Sequence, residues 1–227
     1  MTTTLITGAN KGLGYETARQ LIAAGHDVWI GARDATRGEA AAKELGARFV
    51  RIDVTSDASV SAAAATLTSL DVLINNAGIP GGFKPPAVTV AADIQAVYET
   101  NVLGVVRVVH ACQHLLDASA APVVVNVSSG MGSLAITTDP ARFESTLIGL
   151  AYPSSKAALN MLTSQYAKAF ARWRINAVDP GYTATDLNGH RGTQSVEEGA
   201  EIIVRMAQIA PDGPTGTFTD RHGSVPW

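Results

Sequence analysis

Short apolar runs recur along the whole chain: TLIT (4–7), DVWIGA (27–32), RFVRI (48–52), DVLIN (71–75), PVVVNVS (122–128), RINAV (174–178) and GTFT (216–219). Alanine- and glutamate-rich stretches of helical spacing, such as YETARQLIAAG and GEAAAKELG, lie between them. A strand that is apolar on both sides has no face to give to water. Such strands belong in a parallel sheet covered by helices on both faces. Glycines in IAAGHD and KELGAR supply the usual helix stops. The pattern predicts an α/β chain with a doubly wound parallel sheet of about seven strands. The 227 residues suffice for one large core and leave little for a second, so 1–227 reads as a single domain. Ligands of such sheets sit at the carboxyl ends of the strands, which is where the informative motifs fall.

The composition narrows the function classes. With 46% apolar and 16% charged residues the chain is globular rather than disordered. A net charge of −3 favours neither nucleic acid nor an acidic membrane surface. No apolar run reaches membrane-spanning length, and the first one, LIT, follows no basic leader. The single cysteine, Cys112, sits among apolar neighbours and cannot form an intramolecular disulfide, which fits a reducing compartment. A cytoplasmic protein with no metal site is expected.

The first strand runs into TGANKGLG (7–14), whose Gly8, Gly12 and Gly14 are spaced G-x-x-x-G-x-G. Glycine lets backbone approach a pyrophosphate, and the following helix offers its positive end to the anion. Further along, AYPSSK puts Tyr152 and Lys156 four residues apart with Pro153 between them. Proline suits a first helical turn, so both side chains share one face of a helix start. A plain surface helix start would have the same spacing, so the other motifs have to decide.

TGANKGLG, NNAG (75–78), NVSS (126–129), YPSSK (152–156) and DPGYTATDL (179–187) occur in an order and spacing that resembles the short-chain dehydrogenase/reductase family. The resemblance runs from residue 4 to about 187 and implies a Rossmann-like fold. The NKG of the loop and GARDATRGEAA (31–41) are most similar to the carbonyl reductases of that family that use NADPH. The resemblance implies hydride transfer from a nicotinamide to a carbonyl, with Tyr152 giving the proton. A free phenol titrates near pH 10, and a cation one turn away favours the phenolate; Lys156 is expected to lower the pKa of Tyr152. Family likeness also has Lys156 bind the nicotinamide ribose and Ser129 the substrate oxygen, with Ser128 the alternative. Asn101 would kink a helix and hold a water linking the lysine to solvent.

On the cofactor side, the resemblance implies that Gly8, Asn10, Lys11, Gly12, Leu13 and Gly14 cradle the phosphates. Asn75, Ala77 and Gly78 would let the adenosine side lie against backbone. Asp53, followed by Val54, would meet the adenine, although a loop or capping aspartate fits the same position. Pro180, Gly181, Thr183 and Thr185 would shape the nicotinamide pocket. NAD-selective relatives of this fold carry a carboxylate at the end of strand two. Here that position is Ala32, followed by Arg33, with Lys11 on the same side. Two cations suit the 2′-phosphate of NADPH over NADH. Asp34, directly after Arg33, is the residue that can offset this preference.

The 22 residues between Ser129 and Tyr152 exceed the family's usual dozen but fall short of the long insertion of monomeric carbonyl reductases. Monomer and homodimer both remain open. A small lid is expected at about 184–210, over a pocket open to varied small-molecule carbonyl compounds. Met131, Tyr182 and Leu187 are candidate substrate contacts by position, and His190 lies in the lid. Two other functions share these motifs: reduction of an enone C=C bond, and a cofactor-sensing protein without turnover. An intact Asn101, Ser129, Tyr152 and Lys156 favours an enzyme over a sensor.

Overall fold

The computed structural model describes residues 1–227. Eight strands form one sheet: β1 (Thr3–Thr7), β2 (Asp27–Ala32), β3 (Arg48–Arg51), β4 (Val72–Asn75), β5 (Val123–Val127), β6 (Arg174–Val178), β7 (Phe218–Asp220) and β8 (Gly223–Ser224). Their order is β3-β2-β1-β4-β5-β6-β7-β8. All neighbours run parallel except β7 and β8. The order reverses between β1 and β4, which makes the crevice above these two strands the topological switch point. The expected seven strands are present. The eighth is two residues of Gly-Ser with no apolar run to announce it, formed by a tight reversal after β7.

The helices are α1 (Gly12–Ala23), α2 (Ala35–Leu45), α3 (Asp57–Thr66), α4 (Ala91–Tyr98), α5 (Gly104–Ala118), α6 (Leu134–Thr137), α7 (Ala151–Ala169) and α8 (Val196–Ala207). Their ends follow local chemistry. Asp34 caps α2 through the Arg37 N–H, Ser56 caps α3 through Ser59, and Ser195 with Glu198 forms a capping box on α8. Gly46 closes α2 in the left-handed conformation.

Alternation along the strands divides the core between the two faces of the sheet. Leu5, Leu73, Val124 and Ile175 pack with α3, α5 and Leu159 of α7 in a cluster of 20 buried residues. Ile6, Ile30, Ile74, Val125 and Val178 pack with α1, α2 and α8 in a cluster of 18. The two are nearly equal, so neither face of the central strands is left to water. Each fully buried Leu or Ile contributes roughly 1.5–3 kcal/mol.

Residues 130–151 fold as a short 3₁₀ turn (Gly130–Gly132), α6 and a second 3₁₀ turn (Phe143–Thr146) ahead of α7. The chain's end locks onto this segment: Ser133 Oγ donates to Pro226 O at 2.7 Å, and Trp227 stacks on Phe218 with ring centroids 5.6 Å apart. The segment beyond β6 has a 3₁₀ turn (Asp186–Asn188) and then α8. No helix is long and apolar enough to cross a membrane.

Candidate active site

The glycine loop leaves β1 and is held by the NNAG turn after β4. Thr7 Oγ1 accepts from the N–H groups of Asn76 and Ala77, both at 3.1 Å. Asn76 Nδ2 donates to Thr7 O and Gly8 O at 2.9 and 3.1 Å. A Cβ on Gly8 would stand 2.9 Å from Ala77 Cα, and Gly8 has φ +66°. Only glycine fits that contact. The motifs at 7–14 and 75–78 therefore form one interlocked turn at the switch point. No side chain caps the first turn of α1, so its positive end faces the crevice uncovered. This cradle fits a pyrophosphate. Asn76, which the sequence reading passed over, is the side chain that fixes it. Asn75 turns inward: its Nδ2 donates to Asn126 Oδ1 at 2.8 Å, so only its backbone faces the crevice.

At the end of β2 the carboxylate of Asp34 turns toward its own helix. Asp34 is spent on α2, accepting from Arg37 N and pairing with the Arg37 guanidinium at 3.2 Å. Arg33 is exposed and has no ion-pair partner, and Ala32 is in register with Arg51 of β3. Lys11 is placed differently from the expectation. Its Nζ pairs with Asp186 Oδ2 at 2.6 Å, and Asp186 Oδ1 meets His190 Nε2 at 2.8 Å. Glycine loop and lid are thus clasped across the crevice. Thr185 lies beside Gly12, 3.7 Å from where a Cβ would be. Asp53 folds its carboxylate back onto Thr55, at 3.0 Å from N and 2.7 Å from Oγ1, and Val54 is buried behind it. Asn10 and Leu13 flank the loop at intermediate exposure.

The chemistry-bearing side chains gather above β5. Helix α7 starts at Ala151, with Tyr152 and Lys156 on its first turns. Lys156 is buried; its Nζ donates to Val127 O at 2.8 Å and lies 5.5 Å from the Tyr152 ring centroid. Asn101 sits in a π-turn (Glu99–Leu103) that breaks the run from α4 into α5. Its Oδ1 accepts from Ile79 N at 2.9 Å, and its Nδ2 donates to Ile79 O and Ser155 Oγ at 3.0 Å. A Cβ on Gly78 would lie 3.4 Å from Asn101 Oδ1 and 3.7 Å from Lys156 Nζ. The predicted kink is present, and Ser155 is its unforeseen partner.

The two serines separate cleanly. Ser128 is buried and donates to Asn160 Oδ1 at 2.6 Å. Ser129 accepts from Met131 N at 3.2 Å, and its hydroxyl lies near enough to Tyr152 to favour the phenolate. Ser129 is thus the serine turned toward the tyrosine.

Electrostatics reverses one expectation. Burial pulls the pKa of Lys156 down from 10.5 to about 8, against the opposing charge of Asp179. The Tyr152 phenol is raised, not lowered: enclosure of its hydroxyl end is the largest cause and Asp179 the next, with only the Ser129 hydrogen bond acting the other way. Desolvation of both groups outweighs their mutual attraction, because Lys156 directs its ammonium at Val127 O rather than at the phenolic oxygen. Asp179 itself, missed in the sequence although it directly follows β6, is raised by burial.

Thr183 is buried, with its hydroxyl donating to Pro180 O at 3.1 Å, and Gly181 turns at φ +75°. Toward solvent, Phe143 and Tyr182 pack at 5.9 Å and line a groove of about 560 Å³ with Arg142, Glu144 and Thr193. Of the expected substrate contacts, Tyr182 lines this groove, Leu187 is exposed beyond it and Met131 is buried.

Known proteins carry the same framework. Residues 2–195 match the family model described as short chain dehydrogenase. The short-chain dehydrogenase anuI of Penicillium roqueforti is 39% identical over 97% of this chain and 94% of its own. The (-)-isopiperitenone reductase of Mentha piperita is 32% identical over 97% and 96%. Among solved structures, the NADPH-bound carbonyl reductase from chicken fatty liver superposes with a TM-score of 0.87 at 26% identity, covering 100% of this chain and 99% of that one. Salutaridine reductase from Papaver somniferum gives 0.83 at 29% identity, over 96% and 99%. With the cradle, the switch-point crevice and a family match over most of its length, the chain belongs to the short-chain dehydrogenase/reductase family of oxidoreductases.

Proposed function

We propose that the protein is an NADPH-dependent reductase of aldehydes and ketones, reversible as an alcohol dehydrogenase. The observation that carries this is the Ser129–Tyr152–Lys156 group above β5, facing the crevice that the glycine loop borders. The bound nicotinamide would supply the hydride. Ser129 would hold the carbonyl oxygen with its hydroxyl hydrogen, turned from Tyr152 to the substrate. Tyr152 would donate its proton to the same oxygen; burial raises its pKa, which makes it a weaker acid and leaves it protonated at neutral pH. Lys156, buried between Val127 O and the Tyr152 ring, would meet the ribose hydroxyls, and its depressed pKa allows it to release and regain a proton near pH 8. Asn101, fixed by the π-turn, would stand beside Lys156 across Gly78.

The NADPH preference is supported by Ala32 where a carboxylate would select NAD, by the unpaired Arg33, and by the commitment of Asp34 to its own helix. The carbonyl reductase relative whose structure holds NADPH is consistent with it. The alignment with the mint reductase spans 303 positions against the 227 residues present here. That shortfall supports a pocket with little covering and a broad range of small carbonyl compounds. The test is NADPH consumption, with NADH in parallel, against a panel of aldehydes, ketones, quinones and enones. Carbonyl turnover with NADPH is expected. Tyr152→Phe should lower it by a factor of about 10²–10⁴ while NADPH binding persists; enone turnover that survives Tyr152→Phe would overturn the carbonyl assignment.

A further inference from the structure

The groove beside the Ser129 turn contains a carboxylate that the chain leaves without a hydrogen bond. Glu144 lies in the Phe143–Thr146 turn, and its side chain is only 22% exposed. The cation beside it is Arg142, whose Nε stands 3.5 Å from Glu144 Oε2, too far for a hydrogen bond. The other oxygen faces inward: a Cβ on Gly130 would lie 3.1 Å from Glu144 Oε1. Gly130 directly follows Ser129. With consecutive Cα atoms about 3.8 Å apart, the Glu144 carboxylate falls within about 11 Å of Ser129 Oγ. Asp179 Oδ2 stands 2.9 Å from the same point, but Asp179 Oδ1 accepts from Gly181 N at 3.0 Å and burial favours its neutral form. Glu144 is therefore the charge open to a ligand. The walls beside it are aromatic. Phe143 and Tyr182, both exposed, meet at 5.9 Å and 43° on this groove of about 560 Å³. That volume suits a small molecule. Ring faces next to a carboxylate suit an organic cation, because the rings cover its carbon groups and attract its charge while the carboxylate accepts its N–H.

We propose that this groove holds the far end of the substrate and selects carbonyl compounds that carry a protonated amine, with Glu144 accepting the amine N–H between Phe143 and Tyr182. The carbonyl end of this statement rests on the reductase reading; the amine site does not. Arg142 is then the amine's competitor. Its guanidinium is half exposed and makes no hydrogen bond to Glu144, so a ligand cation that reaches the carboxylate displaces little. An uncharged carbonyl compound can still enter, but it leaves the carboxylate unsatisfied.

The test compares kcat/KM with NADPH for para-(dimethylaminomethyl)acetophenone and for its uncharged isostere, para-isobutylacetophenone, at neutral pH. The wild type should favour the amine by about 10-fold, the low end for a hydrogen bond to a charged group. Glu144→Gln should bring that ratio close to one, through a higher KM for the amine. Arg142→Ala should raise it, because the carboxylate is freed; a pair that served only the turn's structure would not give opposite effects in the two variants. A wild-type ratio of one or less, a preference that Glu144→Gln retains, or a fall in Arg142→Ala would each overturn the proposal. Should Glu144→Gln not fold, the wild type and Arg142→Ala decide. Binding separates this proposal from the reductase reading. N,N-dimethylbenzylamine, which has no carbonyl, should shift the Gly130 amide and the Phe143 and Tyr182 ring resonances of the full-length protein in NMR, and isobutylbenzene should shift them far less. A protein that reduces neither ketone yet shows this response loses the reductase reading and keeps the amine site. Reduction of both ketones with no such response ends the amine site and leaves the reductase reading standing.

Discussion

Replacing Lys156 by methionine should change how stability depends on pH, and the size of the effect follows from its burial. The lysine titrates at about 8 in the fold and at 10.5 when unperturbed. Below pH 8 both states carry the proton, and the fold bears the whole cost of a buried ammonium. Between 8 and 10.5 the folded chain has released the proton and the unfolded chain still binds it. Unfolding then takes up a proton, so raising the pH stabilises the fold. Above 10.5 both states are neutral. At about 1.4 kcal/mol per pH unit, the wild type should gain about 3 kcal/mol across that window from this residue alone. Lys156→Met lacks this gain. It also leaves Val127 O without its 2.8 Å donor, a cost of about 1–3 kcal/mol that does not vary with pH. Urea unfolding of both proteins at half-unit steps from pH 7 to 10.5 gives the difference directly. Titration of Tyr152 and Asp179 is common to both chains and largely cancels. The variant's stability relative to wild type should therefore fall steadily as pH rises. A difference that stays flat across the window would mean that the ammonium keeps its proton in the fold, and the argument that desolvation outweighs its partners would be refuted.

Two further predictions concern the cofactor side. Arg33→Asp should swing preference toward NADH, with the ratio of kcat/KM for NADPH over NADH falling by about 10–100-fold, the loss of one or two charge-assisted contacts; an unaltered ratio would take Arg33 out of the site. Asp186→Asn should leave the unfolding free energy within about 1 kcal/mol of wild type, because both partners of the Lys11 pair are more than half exposed. It should also tighten NADPH binding by freeing Lys11, as read by cofactor fluorescence; weaker binding would make the clasp a part of the cofactor site rather than its competitor.

The strands were legible because a doubly covered sheet makes each of them a continuous apolar run; β8, two residues long and at the edge, has no such run. TGANKGLG, NNAG, NVSS and DPGYTATDL were legible because each follows a strand end at the same edge of the sheet, whereas YPSSK opens α7 and was legible by its own spacing. What sequence did not carry was the partner of each charge. Lys11 and Asp186 are 175 residues apart and meet only because the lid folds over the glycine loop. Asp34 read as a rival to Arg33 until its capping of α2 was seen. The pKa of Tyr152 was expected to fall because a cation one turn away is visible in YPSSK, whereas the enclosure that raises it comes from residues distant in the chain.

These cases share one physical cause, and it bears on how the cofactor is chosen. A charge selects a ligand only if nothing in the protein has already satisfied it. At the carboxyl edge of the sheet, Asp34 is held by Arg37 and Lys11 by Asp186, while Arg33 has no partner. The first pair turns the Asp34 carboxylate toward its own helix, where it stays half exposed. The second binds a cation that the phosphate would have to take from Asp186, at an exposed site where the pair is worth about 1 kcal/mol or less. A 2′-phosphate, with up to two charges against the single one of Asp186, would compete for that lysine. NADPH should therefore open the clasp, and NADH, with no phosphate at that position, should leave it closed. Lid closure would then depend on which cofactor is bound. A salt series with Asp186→Asn separates the effects: the wild type's preference for NADPH should rise modestly as added salt weakens the clasp, until screening of Arg33 reverses the trend, whereas the variant's should only decline.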